Sequence, residues 1–182
     1  MKIIGWLTHK IQVVRHKSWE NSIKDSIANC GEGVYLNGYS NFIHPEKLIL
    51  GNNVHIGKNG WFHCGGGIEI GDNTHISRNC VMFSSSHNYK GKRLPYDSTF
   101  IEKPVNIGGN VWIGMNVMII PGTTIGDGAI IGLGTVVVKD VPPLAIVGSQ
   151  EHRIIGWRDE EHYSSLENQA QYGGRGGASL DE

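Results

Sequence analysis

Aliphatic side chains return at every sixth position through the centre of this sequence. From Ile107 the series runs Ile107, Ile113, Ile119, Ile125, Ile131 and Val137, and Gly108, Gly114, Gly126 and Gly132 each follow a member of it. Four residues after each aliphatic stands a small or β-branched residue: Val111, Val117, Thr123, Ala129, Thr135 and Val141. The spacing recurs earlier in Leu50, Ile56 and Phe62, and again in Ile70, Ile76 and Met82, with Cys80 in a small slot. A spacer around Gly65-Gly66-Gly67 shifts the register between these two sets.

A helix repeats every 3.6 residues and a flat strand every two. A period of six with two inward positions therefore describes a very short strand followed by a corner. Gly51-Asn52-Asn53, Gly71-Asp72-Asn73 and Gly126-Asp127-Gly128 stand at such corners, where positive φ costs least. Three repeats close one triangular turn, and turns stack at the inter-strand spacing of about 4.8 Å. The expected class is all-β, a parallel solenoid whose inward aliphatics form ladders up its axis.

Both ends lack the period. Ile4, Leu7, Ile11 and Val14 fall at helical spacing, in a stretch with four Lys or Arg and no acid up to Lys17. Such a helix covers the open end of a solenoid, or rests weakly on an anionic membrane surface. Beyond Arg158 the chain is polar and ends near Gly173-Gly174-Arg175-Gly176-Gly177, which predicts a short helix near 158–170 and a frayed tail. The expected organisation is a capping segment over 1–30, a solenoid over 31–148 with a loop at 83–104, and an extension over 149–182.

Composition narrows the function. The 182 residues carry 16 basic and 17 acidic side chains, a formal charge of -1, so no nucleic-acid footprint is expected. Hydrophobic residues make up 39%, and no run approaches a spanning helix. The apolar stretch near Met1 is too short for a signal peptide, so the default address is the cytoplasm. Three cysteines cannot all pair, so no disulfide framework is expected. The 26 glycines are about twice the usual share and ask for many tight corners.

Two segments carry a family resemblance: Lys103-Pro104-Val105-Asn106-Ile107-Gly108-Gly109-Asn110-Val111-Trp112-Ile113-Gly114, and Ile131-Gly132-Leu133-Gly134-Thr135-Val136-Val137-Val138-Lys139-Asp140-Val141-Pro142-Pro143. With them, residues 43–148 resemble the left-handed parallel β-helix of the hexapeptide-repeat acyltransferases, in the branch of galactoside, maltose and polysaccharide O-acetyltransferases. The resemblance implies the left hand, against the usual rule for parallel crossovers. It also implies acetyl-CoA as donor, a saccharide or polysaccharide precursor as acceptor, and a homotrimer with sites between subunits.

The loop from Phe83 to Phe100 interrupts the repeat and holds one histidine, His87. Acyl transfer to a hydroxyl needs a base, and imidazole, with an unperturbed pKa of about 6.5, is suited to the task. Counting from Ile76 reaches His87 at the spacing of the family's catalytic histidine. Ser86-His87-Asn88-Tyr89 is closer to capsule and exopolysaccharide enzymes than to the His-Pro of sugar acetyltransferases. His63 matches an acceptor-binding asparagine of the family. Trp112 precedes Ile113, so its ring should point outward, where the family places a tryptophan near thioester and acceptor. Gly114, Met115, Gly132 and Leu133 match the stretch along the pantetheine arm. Lys139 matches a phosphate contact, and Arg153 lies near the matching terminal arginine after Gly148-Ser149-Gln150-Glu151-His152.

Competing chemistries are weaker in the sequence. Cys80 should be buried and inert, and nothing marks Cys64 as activated. His55 and His75 each precede a coil aliphatic and should project outward as solvated or inter-subunit residues. Their spacing does not match a γ-class carbonic anhydrase, and no metal is expected. An amino-sugar N-acetyltransferase or an antibiotic acetyltransferase would use the same scaffold, whereas a non-catalytic solenoid would bind no CoA.

Overall fold

The computed structural model describes residues 2–149, 154 and 156–173. A long helix, α1 (Lys2–Ser26), leads into the first coil, which contains β1 (Asn29–Cys30), β2 (Tyr35–Asn37) and β3 (Asn41–Ile43). The second coil holds β4 (Leu48–Leu50), β5 (His55–Gly57) and β6 (Trp61–His63), and the third β7 (Ile68–Ile70), β8 (His75–Ile76) and β9 (Val81–Phe83). A hairpin of β10 (Ser85–His87) and β11 (Phe100–Glu102) follows. The fourth coil is β12 (Val105–Ile107), β13 (Trp112–Ile113) and β14 (Met118–Ile119), and the fifth β15 (Thr124–Ile125), β16 (Ile130–Ile131) and β17 (Val136–Val137). A sixth, partial coil adds a bridge at Val141 and β18 (Ile146–Val147).

Stacking generates three flat faces of parallel strands. The first is β1-β4-β7-β12-β15, the second β2-β5-β8-β13-β16-β18, and the third β3-β6-β9-β14-β17. The predicted ladders form the core: Leu50, Ile70, Ile107 and Ile125 rise along the first face, Ile56, Ile76, Ile113 and Ile131 along the second, Phe62, Met82, Ile119 and Val137 along the third, and all are buried. The small slots are buried too, Val111, Val117, Thr123, Ala129, Thr135 and Val141 among them.

The corners divide their labour in a way the composition did not indicate. The glycine after each ladder residue is not in the positive-φ region; it is small because the next coil lies on top of it. A Cβ at Gly108 would come within 2.7 Å of Asp127 N, and one at Gly71 within 2.7 Å of Gly109 N. Positive φ falls two residues later and is taken mostly by asparagine: Asn53, Asn59, Asn73, Asn79, Asn110 and Asn116 all lie between 55° and 60°. These asparagines also join coils, since Asn53 Nδ2 donates to Asn73 Oδ1 at 3.0 Å and Asn79 Nδ2 to Asn116 Oδ1 at 2.8 Å. Asp72 and Asp127 accept from the backbone N–H of Asn52 and Gly109 in the coil below.

The helix α1 covers the first coil with its C-terminal half. Trp19 and Ile23 pack against the core, Glu20 accepts from Leu36 N, and His16 Nε2 accepts from Gly38 N at 3.0 Å. Of the apolar stripe read from the sequence, Ile11 and Val14 are exposed instead, because they precede the turns that reach the coil. Farther along the chain, α2 (Glu160–Asn168) is capped by Asp159, whose carboxylate accepts from His162 N at 2.6 Å. No helix among the described residues is long and apolar enough to cross a membrane.

Candidate active site

The loop leaves the solenoid without breaking it. Its ends are joined where Lys103 N donates to Ser84 O at 2.8 Å, and β12 pairs with β7 in continuous register, Val105 opposite Ile68 and Ile107 opposite Ile70. Ser84 and Ser85 are buried at the base, and both reach His63 on the coil beneath. Ser84 Oγ donates to His63 O at 2.9 Å, and Ser85 Oγ is hydrogen-bonded to His63 Nδ1 at 2.9 Å. The His63 ring stacks on Phe83, with centroids 5.5 Å apart. Ser85 and His87 lie on one face of β10, because alternate residues of a strand share a face. His63 is thus tied to the first residue of the strand that ends at His87.

His87 is exposed and held by aromatic rings. Tyr96 stacks on it at 3.8 Å between centroids with planes 12° apart, and Phe100, its cross-strand partner, lies at 4.9 Å. Asp97 fixes the turn that carries Tyr96. Its carboxylate accepts from Lys92 N at 2.8 Å, from Thr99 N at 2.9 Å and from the Thr99 hydroxyl. The Thr99 hydroxyl, with those two backbone N–H groups, holds the Asp97 carboxyl below the usual aspartate range. Gly91 lies so close that a Cβ would come within 2.2 Å of the Asp97 carboxylate. Tyr96 and Asp97 were not singled out from the sequence; two tyrosines and an aspartate in a histidine-bearing loop were the available signal.

A second set of residues gathers at the corner between the second and third faces. Trp112, 56% exposed, stands outward between His75 below and Ile130 above. It lines an apolar cleft of about 380 Å³ together with Gly114, Met115, Gly132 and Leu133. All four residues expected along a pantetheine arm thus share one cleft with Trp112. Gly114 is small for a further reason, since a Cβ there would lie 2.7 Å from Leu133 N in the coil above. Lys139 is exposed and borders a separate groove beside Thr135, Val147 and Gly148. Arg153 lies outside the described residues.

His87 and Trp112 occupy different edges of the triangular section. His87 belongs to the corner between the third and first faces, Trp112 to the second face, and His87 does not line the Trp112 cleft. The outward positions of the third face, Trp61, Val81, Met118 and Val136, form an apolar stripe aligned in register. The corresponding positions of the first face include Glu69, Asn106 and Thr124.

The thiols are unsuited to nucleophilic attack: burial pushes those of Cys64 and Cys80 up to about 12. The His55 and His75 rings stack at 4.2 Å, and no group of three or more His, Cys, Asp or Glu among the described residues is arranged to hold a metal ion.

Comparison with known proteins adds the following. The family model for the bacterial transferase hexapeptide (six repeats) matches residues 104–139, and that for the hexapeptide repeat of succinyl-transferase matches 47–83. Galactoside O-acetyltransferase of Escherichia coli K12 is 33% identical over 153 residues, covering 79% of this chain and 72% of that protein. The chain spans little more than half the length of other curated relatives, for example 54% of an acetyltransferase from Schizosaccharomyces pombe. A hexapeptide-repeat containing acetyltransferase from Vibrio cholerae superposes with a TM-score of 0.67 at 26% identity, over 80% of this chain and 82% of that one; it has also been solved in complex with acetyl coenzyme A. A maltose O-acetyltransferase from Clostridium difficile 630 gives a TM-score of 0.64 at 30% identity, over 78% and 75%.

Proposed function

Since the chain belongs to the hexapeptide-repeat acetyltransferases, we propose that it transfers an acetyl group from acetyl-CoA to a hydroxyl of a saccharide. The observation that carries this reading is the apolar cleft in which Trp112, Gly114, Met115, Gly132 and Leu133 meet. Its apolar lining suits the methylene segments and thioester of a pantetheine arm, with Lys139 farther up the solenoid for the nucleotide phosphates.

In this reading His87 is the general base. Its imidazole takes the hydroxyl proton as the acceptor oxygen attacks the acetyl carbonyl carbon. The C–O bond forms, the C–S bond of the collapsing intermediate breaks, and the imidazolium returns its proton to the departing CoA thiolate. Tyr96 stacked on the ring and Phe100 tilted against it fix the ring plane. No covalent enzyme intermediate is involved, since thiols pushed up to about 12 are not thiolates at neutral pH.

The working unit is a homotrimer. Base and cleft stand at different edges of one prism, so a complete site requires the loop of one copy to meet the cleft of the next. The apolar stripe of Trp61, Val81, Met118 and Val136 supplies a face for that contact. Three copies around an axis close the arrangement, as heterologous contacts do when the rotation closes.

The test is CoA thiol release from acetyl-CoA against a panel of saccharides, with the mass of the assembly measured by sedimentation. Acceptor-dependent release by a trimer is expected. No release with any acceptor, together with no CoA binding by calorimetry, overturns the reading.

A further inference from the structure

Below Trp112 a second groove of about 570 Å³ runs down the second face, and it is continuous with the apolar cleft because Ser77, Trp112 and Met115 line both. The character changes at that junction. The lower groove is lined by Tyr35, His55, His75, Lys58 and Arg78 among others, and by no carboxylate. A chain with a formal charge of -1 thus concentrates two fixed cations in one groove.

Within one copy, those cations have no ion-pair partner among the described residues. The ion pairs of lysine or arginine among the described residues lie elsewhere, Lys24 with Glu20 and Lys47 with Glu102. Lys58 and Arg78 occupy equivalent places on successive coils, each directly after a corner position, Gly57 or Ser77. A Cβ at Gly57 would lie 2.5 Å from Arg78 N, so the two backbones are in vertical contact. Like charges one coil apart repel unless an anion lies between them. Arg78 Nε rests on Met115 Sδ at 3.1 Å, which keeps the guanidinium beside the junction with the cleft.

The groove also has a floor suited to a sugar. Tyr35, His55 and His75 form a continuous aromatic ladder, with centroids 5.9 Å and 4.2 Å apart. Because the His55 and His75 faces stack on each other, the imidazoles offer their edges, which donate to or accept from sugar hydroxyls.

We propose that this groove is the acceptor subsite and that Lys58 and Arg78 select a saccharide bearing an anionic group, a phosphate or a carboxylate. The proposal rests on the acetyl-transfer reading for the position of the reacting hydroxyl, at the Trp112 junction. Galactosides and maltose, in the names of two similar enzymes, carry no charge; this groove is built for an acceptor that does.

Calorimetry with glucose, glucuronate and glucose 1-phosphate, on the wild type and on Lys58→Gln, Arg78→Gln and Arg78→Lys, tests it. One or both charged sugars should bind on the order of tenfold or more tightly than glucose, as charge-assisted hydrogen bonds imply. Which of them does so distinguishes a carboxylate from a phosphate partner. The ratio should fall toward one in Arg78→Gln and Lys58→Gln and partly recover in Arg78→Lys. Glucose binding as tightly as both anions, no binding of either anion at millimolar concentration, or a ratio unchanged by Lys58→Gln and Arg78→Gln overturns the proposal. Acetyl-CoA is titrated in parallel. If it does not bind, the transfer reading fails while the sugar ratio still judges the groove.

Discussion

The stacked coils and the loop that leaves them are held by different means. In the inner coils each strand pairs with the coil below and the coil above, and the inward side chains form one continuous core, so each position is specified many times over. The loop has no such redundancy. Its functional end depends on a three-pair hairpin, the ring contacts of His87 with Tyr96 and Phe100, and the hydrogen bonds of two side chains, Asn88 and Asp97. The coils can therefore be expected to govern stability and the loop to govern rate, with little overlap.

The largest effect that would sharpen this contrast is His87→Ala, which should lower transfer by about 10²- to 10⁴-fold while leaving the thermal midpoint unchanged. A variant that melts earlier, or one that keeps its rate, breaks the division. The converse is Ile113→Ala. This ladder residue is wholly buried, and its truncation should cost about 2–5 kcal/mol in denaturant unfolding. A smaller effect is expected of Tyr96→Ala: kcat/KM down roughly three- to tenfold with an altered pH–rate profile, and Tyr96→Phe close to wild type, since stacking needs the ring and not the hydroxyl. An unchanged profile in Tyr96→Ala would show that the stack is incidental.

The smallest is a matter of pH. Because the folded-state value of Asp97 is lowered, its contribution to loop order is present above the unfolded aspartate value and lost as pH falls through the lower folded value. Amide resonances of Lys92 and Thr99 should therefore titrate below the ordinary aspartate value of about 3.9, and should not do so in Asp97→Asn.

The solenoid was legible because its signal is repeated: Ile107 to Val137 declares one inward register six times, and the structure buries all six. The role of the glycines was read in part. Positive φ is found at Gly33, Gly38, Gly67, Gly122, Gly128 and Gly134, but the glycines after ladder residues are small because of the coil above, a contact between distant residues that a local reading does not see. The outward projection of Trp112 followed from the ladder, since it flanks the inward Ile113, whereas the set Gly114, Met115, Gly132 and Leu133 came from the family resemblance, and the structure gathers the four in one cleft. Tyr96 over His87 did not, because the path of an irregular loop is fixed by Asp97 contacts with no period. Lys58 beside Arg78 was hidden for a different reason: each is an ordinary surface cation until stacking makes them neighbours.

One bond at the base of the loop reaches further than its length suggests. With Lys103 N joined to Ser84 O, and β12 lying on β7 as if nothing intervened, the coils have no means of sensing how long the excursion is. Doubling such a loop adds only about 0.6 kcal/mol of closure entropy. Selection, or an engineer, can therefore lengthen, shorten or reshape the segment while inheriting the scaffold unchanged.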